Sequence, residues 1–189
     1  MSTEIKAASA PASADPAIAI ETLPALPAAL DRPISGAVDV WVFAVDAAEP
    51  PDSGILSPAE CARRDRFVSM ADRNRFAGAR VRLRQLLAAY LSLEPAAVPL
   101  VIAANGKPKL AEDSLRAALE FNLTHCQTHV AIACSGSAAV GIDIEPLDRA
   151  CDPLGLARHF FHPNEARLLE RCDPAERGRL FFRWWTAKE

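Results

Sequence analysis

Two carboxylates stand two residues apart in the apolar stretch AAVGIDIEPLDR, residues 138–149. β-Branched residues alternate with other residues between Val140 and Glu145, which predicts a strand whose side chains alternate between two faces. Asp143 and Glu145 are then neighbours on one face, and their like charges repel unless a positive charge lies between them. A hard divalent cation such as Mg²⁺ provides that charge, whereas the alternative is an edge strand whose polar face is simply solvated.

Basic side chains near predicted element ends are candidates for holding an anion. His125 ends the short strand FNLTH, where an imidazole acts as a phosphate donor, as a general base or as a structural group. Lys107 lies in ANGKPKL, where Asn105-Gly106 and Pro108 predict a turn. A lysine in a rigid turn reaches a phosphate, although turns also carry lysine without any such role.

The last predicted helix starts at the N-cap Asp173 and runs to the end of the chain. Trp184 and Trp185 belong to an apolar row with three- and four-residue spacings, which predicts that one face of the helix is firmly buried. Lys188 and Glu189 follow directly, so the buried face is expected to fix their position. An ordinary amphipathic helix that ends in a surface Lys-Glu pair is the alternative.

Composition narrows the class of protein. The 189 residues carry a net charge of −3, which does not suggest a general nucleic-acid binder. Five cysteines without a C-x-x-C pair fit a reduced, cytoplasmic protein. We recognise no secretory signal, and no apolar run approaches the roughly 20 residues that span a bilayer. The Walker A, G-x-G-x-x-G and G-x-S-x-G motifs are absent, which argues against the common nucleotide-cofactor and hydrolase classes.

The elements that must position these residues include both strands and helices. Residues 1–34 are rich in Ala and Pro and are expected to form a disordered tail. A buried strand is predicted in AVDVWVFAVD, followed by helices at about 58–70 and 72–91. Most arginines of the second helix are expected to form a solvated face, and 129–134 with 139–145 are expected to form a hairpin.

Four motifs, GKP, FNLTH, GIDIE and WWTAKE, occur in this order along the chain. The order resembles that of the 4′-phosphopantetheinyl transferases, and in particular the larger, surfactin-synthetase-activating type. The resemblance extends from about Leu56 to Glu189. It implies an enzyme that transfers the phosphopantetheine arm of coenzyme A to a serine of an acyl, polyketide or peptidyl carrier protein, with release of 3′,5′-ADP.

By this resemblance the acids Asp143, Glu145 and Glu189 match the positions of a Mg²⁺ site, at which Mn²⁺ is also acceptable. Glu189, or a water near it, is expected to help deprotonate the incoming serine hydroxyl. Lys188 belongs to the same motif and is expected to neutralise phosphate charge. Glu189, Lys188 and Asp143 are therefore the predicted catalytic residues, and Asp143 is also expected to contribute to coenzyme A binding.

The other family positions concern coenzyme A. By similarity, Lys107, Thr124 and His125 match the segments that hold it, with His125 a donor to its 3′-phosphate. Arg63 falls in the helix that supplies basic contacts to this phosphate in relatives. Glu60 stands where a relative carries a second lysine, so this contact departs from the family pattern.

The fold implied by the resemblance is α+β, with two lobes related by a pseudo-twofold axis and the active site between them. The lobes are expected at 35–137 and 138–189. The sequence stops at the last residue of WTAKE, where relatives continue, so the expectation is a truncated chain with an incomplete second lobe. The alternative function is a catalytically impaired relative that only binds coenzyme A or a carrier protein. The complete two-lobed form is expected to be a monomer.

Overall fold

The computed structural model describes residues 4–8, 19–23, 26–34, 36–48, 52–111, 119–136 and 138–188. The chain divides into two compact units, Met1–Gly141 and Ile142–Glu189, which we call the N-terminal and C-terminal units. The sequence pattern predicts this boundary slightly earlier, before residue 138. Antiparallel strands and α-helices occur together, which confirms the predicted α+β class.

The strands all lie in the N-terminal unit, and the helices are shared between the two units. The strands are β1 Glu4–Ala8, β2 Ala19–Leu23, β3 Val38–Ala44, β4 Leu100–Ile102, β5 Pro108–Leu110, β6 Glu120–His125 and β7 His129–Ser135. The helices are α1 Pro58–Arg64, α2 Met70–Leu91, α3 Pro153–Phe160, α4 Pro163–Arg171 and α5 Pro174–Thr186. Short 3₁₀ turns occupy Ser53–Ile55 and Pro95–Ala97.

One antiparallel sheet with the strand order β2-β1-β3-β7-β6 frames the N-terminal unit. β3 pairs with β7, with Val38 opposite Ser135, and β6 pairs with the other edge of β7. Trp41 and Phe43 share one face of β3 and form a buried cluster with leucines of α2, among them Leu83. The sheet and α2 therefore share one core. Burial of a side chain such as Phe43 in this core stabilises the fold by about 1.5–3 kcal/mol.

Ordered structure begins earlier than the predicted end of the tail at residue 34. Leu26 and Leu30 pack against the core of the N-terminal unit, and the Leu30 N–H donates to the Ala89 carbonyl of α2 at 3.0 Å. β1 and β2 also lie within residues 1–34, where the backbone of β1 pairs with the outer edge of β3. The expectation of a disordered tail rested on composition. Composition does not reveal that two leucines four residues apart anchor a segment to a core.

A buried ion pair joins α1 to α2. Ser57 caps α1 in the predicted capping box, because its Oγ accepts from the Glu60 N–H while its own N–H donates to Glu60 Oε2 at 2.9 Å. Arg84 Nε donates to the same Glu60 oxygen at 2.8 Å, and Arg84 Nη1 donates to the Val98 carbonyl at 3.0 Å. The Glu60 carboxylate therefore accepts hydrogen bonds that hold α1 and α2 together. Arg84 is only 2% exposed, so it does not belong to the solvated face that is expected for most arginines of α2.

Two helix boundaries and one strand differ from expectation. α1 ends at Arg64 rather than near residue 70, and α2 begins at Met70. Residues 139–145 form no strand, so the predicted hairpin with β7 is wrong. An extended segment becomes a strand only when its backbone N–H and C=O groups pair with a neighbour. Within the described ranges, no strand pairs with this segment.

The three helices of the C-terminal unit begin in the same way. Each has a proline in its first turn after a side-chain cap, provided by Asp152, His162 and Asp173. The helices enclose an aromatic core in which the rings of Phe161 and Phe181 stack with centroids 5.4 Å apart. Across the described parts of both units, no helix is long and apolar enough to cross a membrane.

Candidate functional site

The acid pair lies in the irregular segment that opens the C-terminal unit, where Asp143 and Glu145 are both half-buried. Arg149 donates from Nη1 to Glu145 Oε1. This hydrogen bond and the negative charge of Glu145, with a smaller contribution from Asp143, raise the pKa of Arg149. A guanidinium therefore lies beside the two carboxylates, and it supplies positive charge where two like charges are held close together.

The donor chemistry of the acid pair fits a hard divalent cation. Both side chains offer carboxylate oxygens, and Asp143 Oδ2 is shielded from solvent. Arg149 is exposed, so a cation displaces its ion pair with Glu145 at a small cost. Glu189, the third predicted acid, lies outside the described residues. Among the residues that are described, no group of three His, Cys, Asp or Glu side chains is arranged to hold a metal.

Lys188 follows the end of α5 and is held by its own unit. Its Nζ lies 3.1 Å from Glu165 Oε1 of α4 and 5.3 Å from the centroid of the Phe161 ring. The hydrogen bond from Lys188, together with the His162 backbone N–H, lowers the pKa of Glu165. Lys188 of the WWTAKE motif is thus held against α4 within the C-terminal unit.

His125 is the last residue of β6 and lies opposite Val130 of β7. Phe121 and Leu123 share its face of the strand and pack against the core that α2 helps to form. The imidazole is exposed but partly shielded, and this burial, together with the positive charges of Arg75 and Arg80, lowers the pKa of His125. The imidazole is therefore neutral at pH 7 in the free protein.

Arginines from two helices converge on one aromatic ring. The guanidinium carbon of Arg63, on α1, lies 5.9 Å from the centroid of the Phe76 ring, and that of Arg80, on α2, lies 5.4 Å from the same centroid. The positive charge of Arg80 in turn lowers the pKa of His125, as does that of Arg75. The structure thus links the predicted residues Arg63 and His125 through Arg80. We call the set Arg63, Arg75, Arg80 and His125 the basic cluster.

The other two predicted coenzyme A residues are placed differently. Lys107 is exposed at the turn between β4 and β5, where its N–H donates to Asn105 Oδ1 at 3.1 Å. Gly106 has a φ of +81°, a conformation that favours glycine, and the predicted turn is confirmed. Thr124 precedes His125 in β6, so the two side chains project from opposite faces of the strand.

Sequence reasoning missed Arg80, because it assigned most arginines of α2 to a solvated face and did not single this one out. A signal was nevertheless present, because Phe76, Arg80 and Arg84 are spaced four residues apart and therefore share one face of α2. Phe76 is apolar and buried, and it carries the two arginines toward the interior with it. A row of arginines that alternates with apolar residues needs this check of spacing before it is assigned to solvent.

Replacement of Arg75 by glutamine is expected to raise the pKa of His125, because it removes a positive neighbour that disfavours the imidazolium. His125 then remains protonated to a higher pH than in the wild type. An NMR pH titration of the His125 ring protons measures this shift. Arg73→Gln is the matched control, since Arg73 donates to the Phe67 carbonyl at 2.8 Å. A His125 pKa that falls or stays constant in Arg75→Gln contradicts the assigned electrostatics.

Two family models match consecutive parts of the chain. Residues 53–137 match the model described as 4′-phosphopantetheinyl transferase, N-terminal, and residues 139–189 match that of the 4′-phosphopantetheinyl transferase superfamily. GKP and FNLTH lie in the first matched range, and GIDIE and WWTAKE lie in the second. The motif order that suggested the family is therefore distributed over both of its parts.

Characterised relatives agree with the family models. The chain is 35% identical over 159 residues to the 4′-phosphopantetheinyl transferase HetI of Nostoc sp., with 82% of this chain and 67% of the relative covered. It is 26% identical over 160 residues to a 4′-phosphopantetheinyl transferase of Bacillus subtilis, with 85% and 64% covered. The chain thus spans about two thirds of the length of these relatives. It belongs to the 4′-phosphopantetheinyl transferase superfamily, a family of transferase enzymes.

Proposed function

We propose that this protein transfers the 4′-phosphopantetheine arm of coenzyme A to a serine of an acyl, polyketide or peptidyl carrier protein and releases 3′,5′-ADP. Its motif order supports the surfactin-synthetase-activating type. The observation that carries the proposal is the closely spaced pair Asp143 and Glu145 beside Arg149, in the segment that matches the superfamily model. Two carboxylates held near positive charge suit a site at which a cation meets a pyrophosphate.

The cation would be held by Asp143, Glu145 and Glu189, with Mg²⁺ as the expected ion and Mn²⁺ as an acceptable substitute. A cation bound there would neutralise the negative charge on the pyrophosphate that the reaction breaks. Asp143 offers an oxygen that is already shielded from solvent, whereas Glu145 first exchanges its bond to Arg149. Of the two described acids, Asp143 therefore needs the smaller rearrangement to bind the cation.

The transfer needs a proton acceptor and charge neutralisation. The serine oxygen attacks the phosphorus that carries pantetheine, and the bond from this phosphorus to the bridging oxygen of 3′,5′-ADP breaks. Glu189, or a water beside it, takes the hydroxyl proton. Lys188 neutralises charge on the phosphates. Its ion pair with Glu165 is partly exposed and screened by solvent, so Lys188 can leave that partner at little cost.

Coenzyme A is proposed to be held by Arg63, Lys107, Thr124 and His125, with Asp143 as a further contact. Arg63 and His125 are members of the basic cluster and are suited to a phosphate, because a guanidinium and an imidazole both donate to phosphate oxygens. Lys107 is exposed on a turn that its backbone bonds make rigid, and its amine is a mobile point charge. Thr124 offers a hydroxyl from the opposite face of β6.

The setting of the reaction follows from the cysteines and from the distribution of the site residues. Five free cysteines support a reducing compartment, and we propose the cytoplasm. One chain carries both the basic cluster and the acid pair, so the complete two-lobed form is proposed to act as a monomer. The net charge of −3 gives no support to a nucleic-acid partner.

The test is the intact mass of an apo carrier protein after incubation with this chain, coenzyme A and Mg²⁺. The expected result is a gain of one phosphopantetheine arm per carrier protein, which EDTA abolishes and an excess of Mg²⁺ restores. No gain in mass, together with retained coenzyme A binding, would overturn the transferase activity of this chain in favour of a relative that only binds its ligands.

A further inference from the structure

We propose that Arg80 is a buried anion-binding residue, and that it receives a phosphate monoester together with Arg63 and His125. The proposal rests on the proposed function for the identity of the ligand, since coenzyme A carries such a phosphate at its 3′ position. The presence of an anion site around Arg80 rests on the structure of the N-terminal unit alone.

One donor atom of the buried Arg80 side chain lacks the acceptor that a buried N–H requires. The residue is 7% exposed, and its Nη1 atom is buried with no hydrogen-bond partner in the described part of the chain. Arg84, one turn further along α2, is equally buried but donates to Glu60 and to three backbone carbonyls. A buried guanidinium N–H without an acceptor is strongly unfavourable. The contrast singles out Arg80 Nη1 as a buried donor without an acceptor in the described part of the chain.

The charges around Arg80 make an anion the fitting acceptor. Arg63 and Arg80 stack on the same Phe76 ring, so two like charges are held close together. Burial and the positive charges of Arg63 and Arg84 lower the pKa of Arg80, against the attraction of Glu60. That carboxylate already accepts bonds from Ser57 and Arg84 at one oxygen. An anion that bonds to Nη1 offsets both the repulsion and the missing hydrogen bond.

The composition of the basic cluster favours a phosphate dianion over a carboxylate. A phosphate monoester offers three terminal oxygens and about two negative charges at pH 7. Arg63, Arg80 and His125 provide donors from α1, α2 and β6, which suits several oxygens at once. The dianion also favours protonation of His125, so that an imidazole that is neutral in the free protein becomes a charged donor on binding.

The experiment uses the full chain and compares Arg80→Gln and Arg80→Lys with the control Arg82→Gln. Arg82 lies two residues along the same helix, where it stacks on Phe43 instead. Inorganic phosphate is titrated at constant ionic strength, and the His125 ring signals are followed by NMR. Calorimetry then measures coenzyme A against dephospho-coenzyme A, which lacks the 3′-phosphate and carries no other phosphate monoester.

We expect Arg80→Gln to bind inorganic phosphate and coenzyme A about 10- to 100-fold more weakly than wild type, the range for loss of a hydrogen bond to a charged group. Arg80→Lys is expected to recover part of this affinity, because it restores the charge without the planar fork. Dephospho-coenzyme A should bind equally to all variants, because it lacks the phosphate monoester. Phosphate should also raise the His125 pKa in the wild type and in Arg82→Gln, but not in Arg80→Gln.

A stability measurement separates this role from a structural one. Arg80→Met is expected to melt at or above the wild-type temperature in phosphate-free buffer, because removal of an uncompensated buried charge is neutral or stabilising. A wild type that binds no phosphate, or Arg80 variants that bind it as tightly as wild type, overturns the inference. Phosphate binding that depends on Arg80 without coenzyme A binding or transfer upholds the inference and overturns the proposed function.

Discussion

Asp143→Asn is expected to lower the rate of phosphopantetheine transfer by at least about 100-fold, because loss of a carboxylate charge removes most of its value as a ligand for a hard cation. The change is nearly isosteric, so the fold of the C-terminal unit should persist. The initial rate of holo carrier protein formation, measured by intact mass at saturating coenzyme A and Mg²⁺, gives the result. Calorimetric Mn²⁺ binding should weaken in parallel.

Asp148→Asn is the matched control, since Asp148 is an exposed acid of the same segment. It is expected to retain wild-type transfer and Mn²⁺ affinity. A full rate in Asp143→Asn would remove Asp143 from the metal site and leave the acid pair as an ordinary solvated feature. A loss of rate with unchanged Mn²⁺ affinity would place Asp143 in contact with coenzyme A and not with the metal.

Glu60→Ala is expected to lower the free energy of unfolding by about 3–5 kcal/mol, because it leaves the buried guanidinium of Arg84 without its counter-charge. The change also removes one half of the capping box of α1. At about 2–4 °C per kcal/mol for a chain of this size, the melting temperature should fall by about 6–20 °C. Urea denaturation followed by circular dichroism measures the free energy directly.

Glu170→Ala is the control for this prediction, because Glu170 pairs with Arg158 at 2.7 Å on the surface, where both side chains are well exposed. Loss of an exposed ion pair is expected to cost about 0–1 kcal/mol. Equal effects of the two substitutions would show that burial adds nothing to the Glu60–Arg84 pair. A large loss of stability in Glu60→Ala would explain why this position carries a carboxylate in place of a phosphate-binding lysine.

The parts of the fold that depend on local chemistry were predictable from the sequence. Ser57, Pro58 and Glu60 indicate the start of α1, and Asp173 with Pro174 indicates the start of α5, because caps and first-turn prolines act within a few residues. The absence of a strand at 139–145 was not predictable in this way. Its alternating pattern is real, but a strand needs a paired neighbour from elsewhere in the chain.

In the candidate site, too, residues marked by local motifs were predictable, whereas contacts that depend on tertiary packing were not. Arg63 and His125 follow from a family resemblance, and the acid pair follows from the spacing of Asp143 and Glu145. The burial of Arg80 depends instead on how α2 packs against distant strands of the sheet, since this packing sets where Phe76 and Arg80 lie. The pairing of Arg149 with Glu145 was also unforeseen, although a four-residue spacing of opposite charges is a signal that could have been used.

The register of the central sheet has a consequence for synthesis of the chain on the ribosome. Val38 of β3 pairs with Ser135 of β7, so the partners are separated by 97 residues (135 − 38). Translation adds about 5–20 residues per second, so β7 is synthesised roughly 5–20 s after β3. During that time Trp41 and Phe43 lack the β7 side of their core, and an apolar strand edge is open to other nascent chains. We therefore expect the yield of folded protein to depend on the rate of translation and on chaperones that cover β3 until β7 emerges.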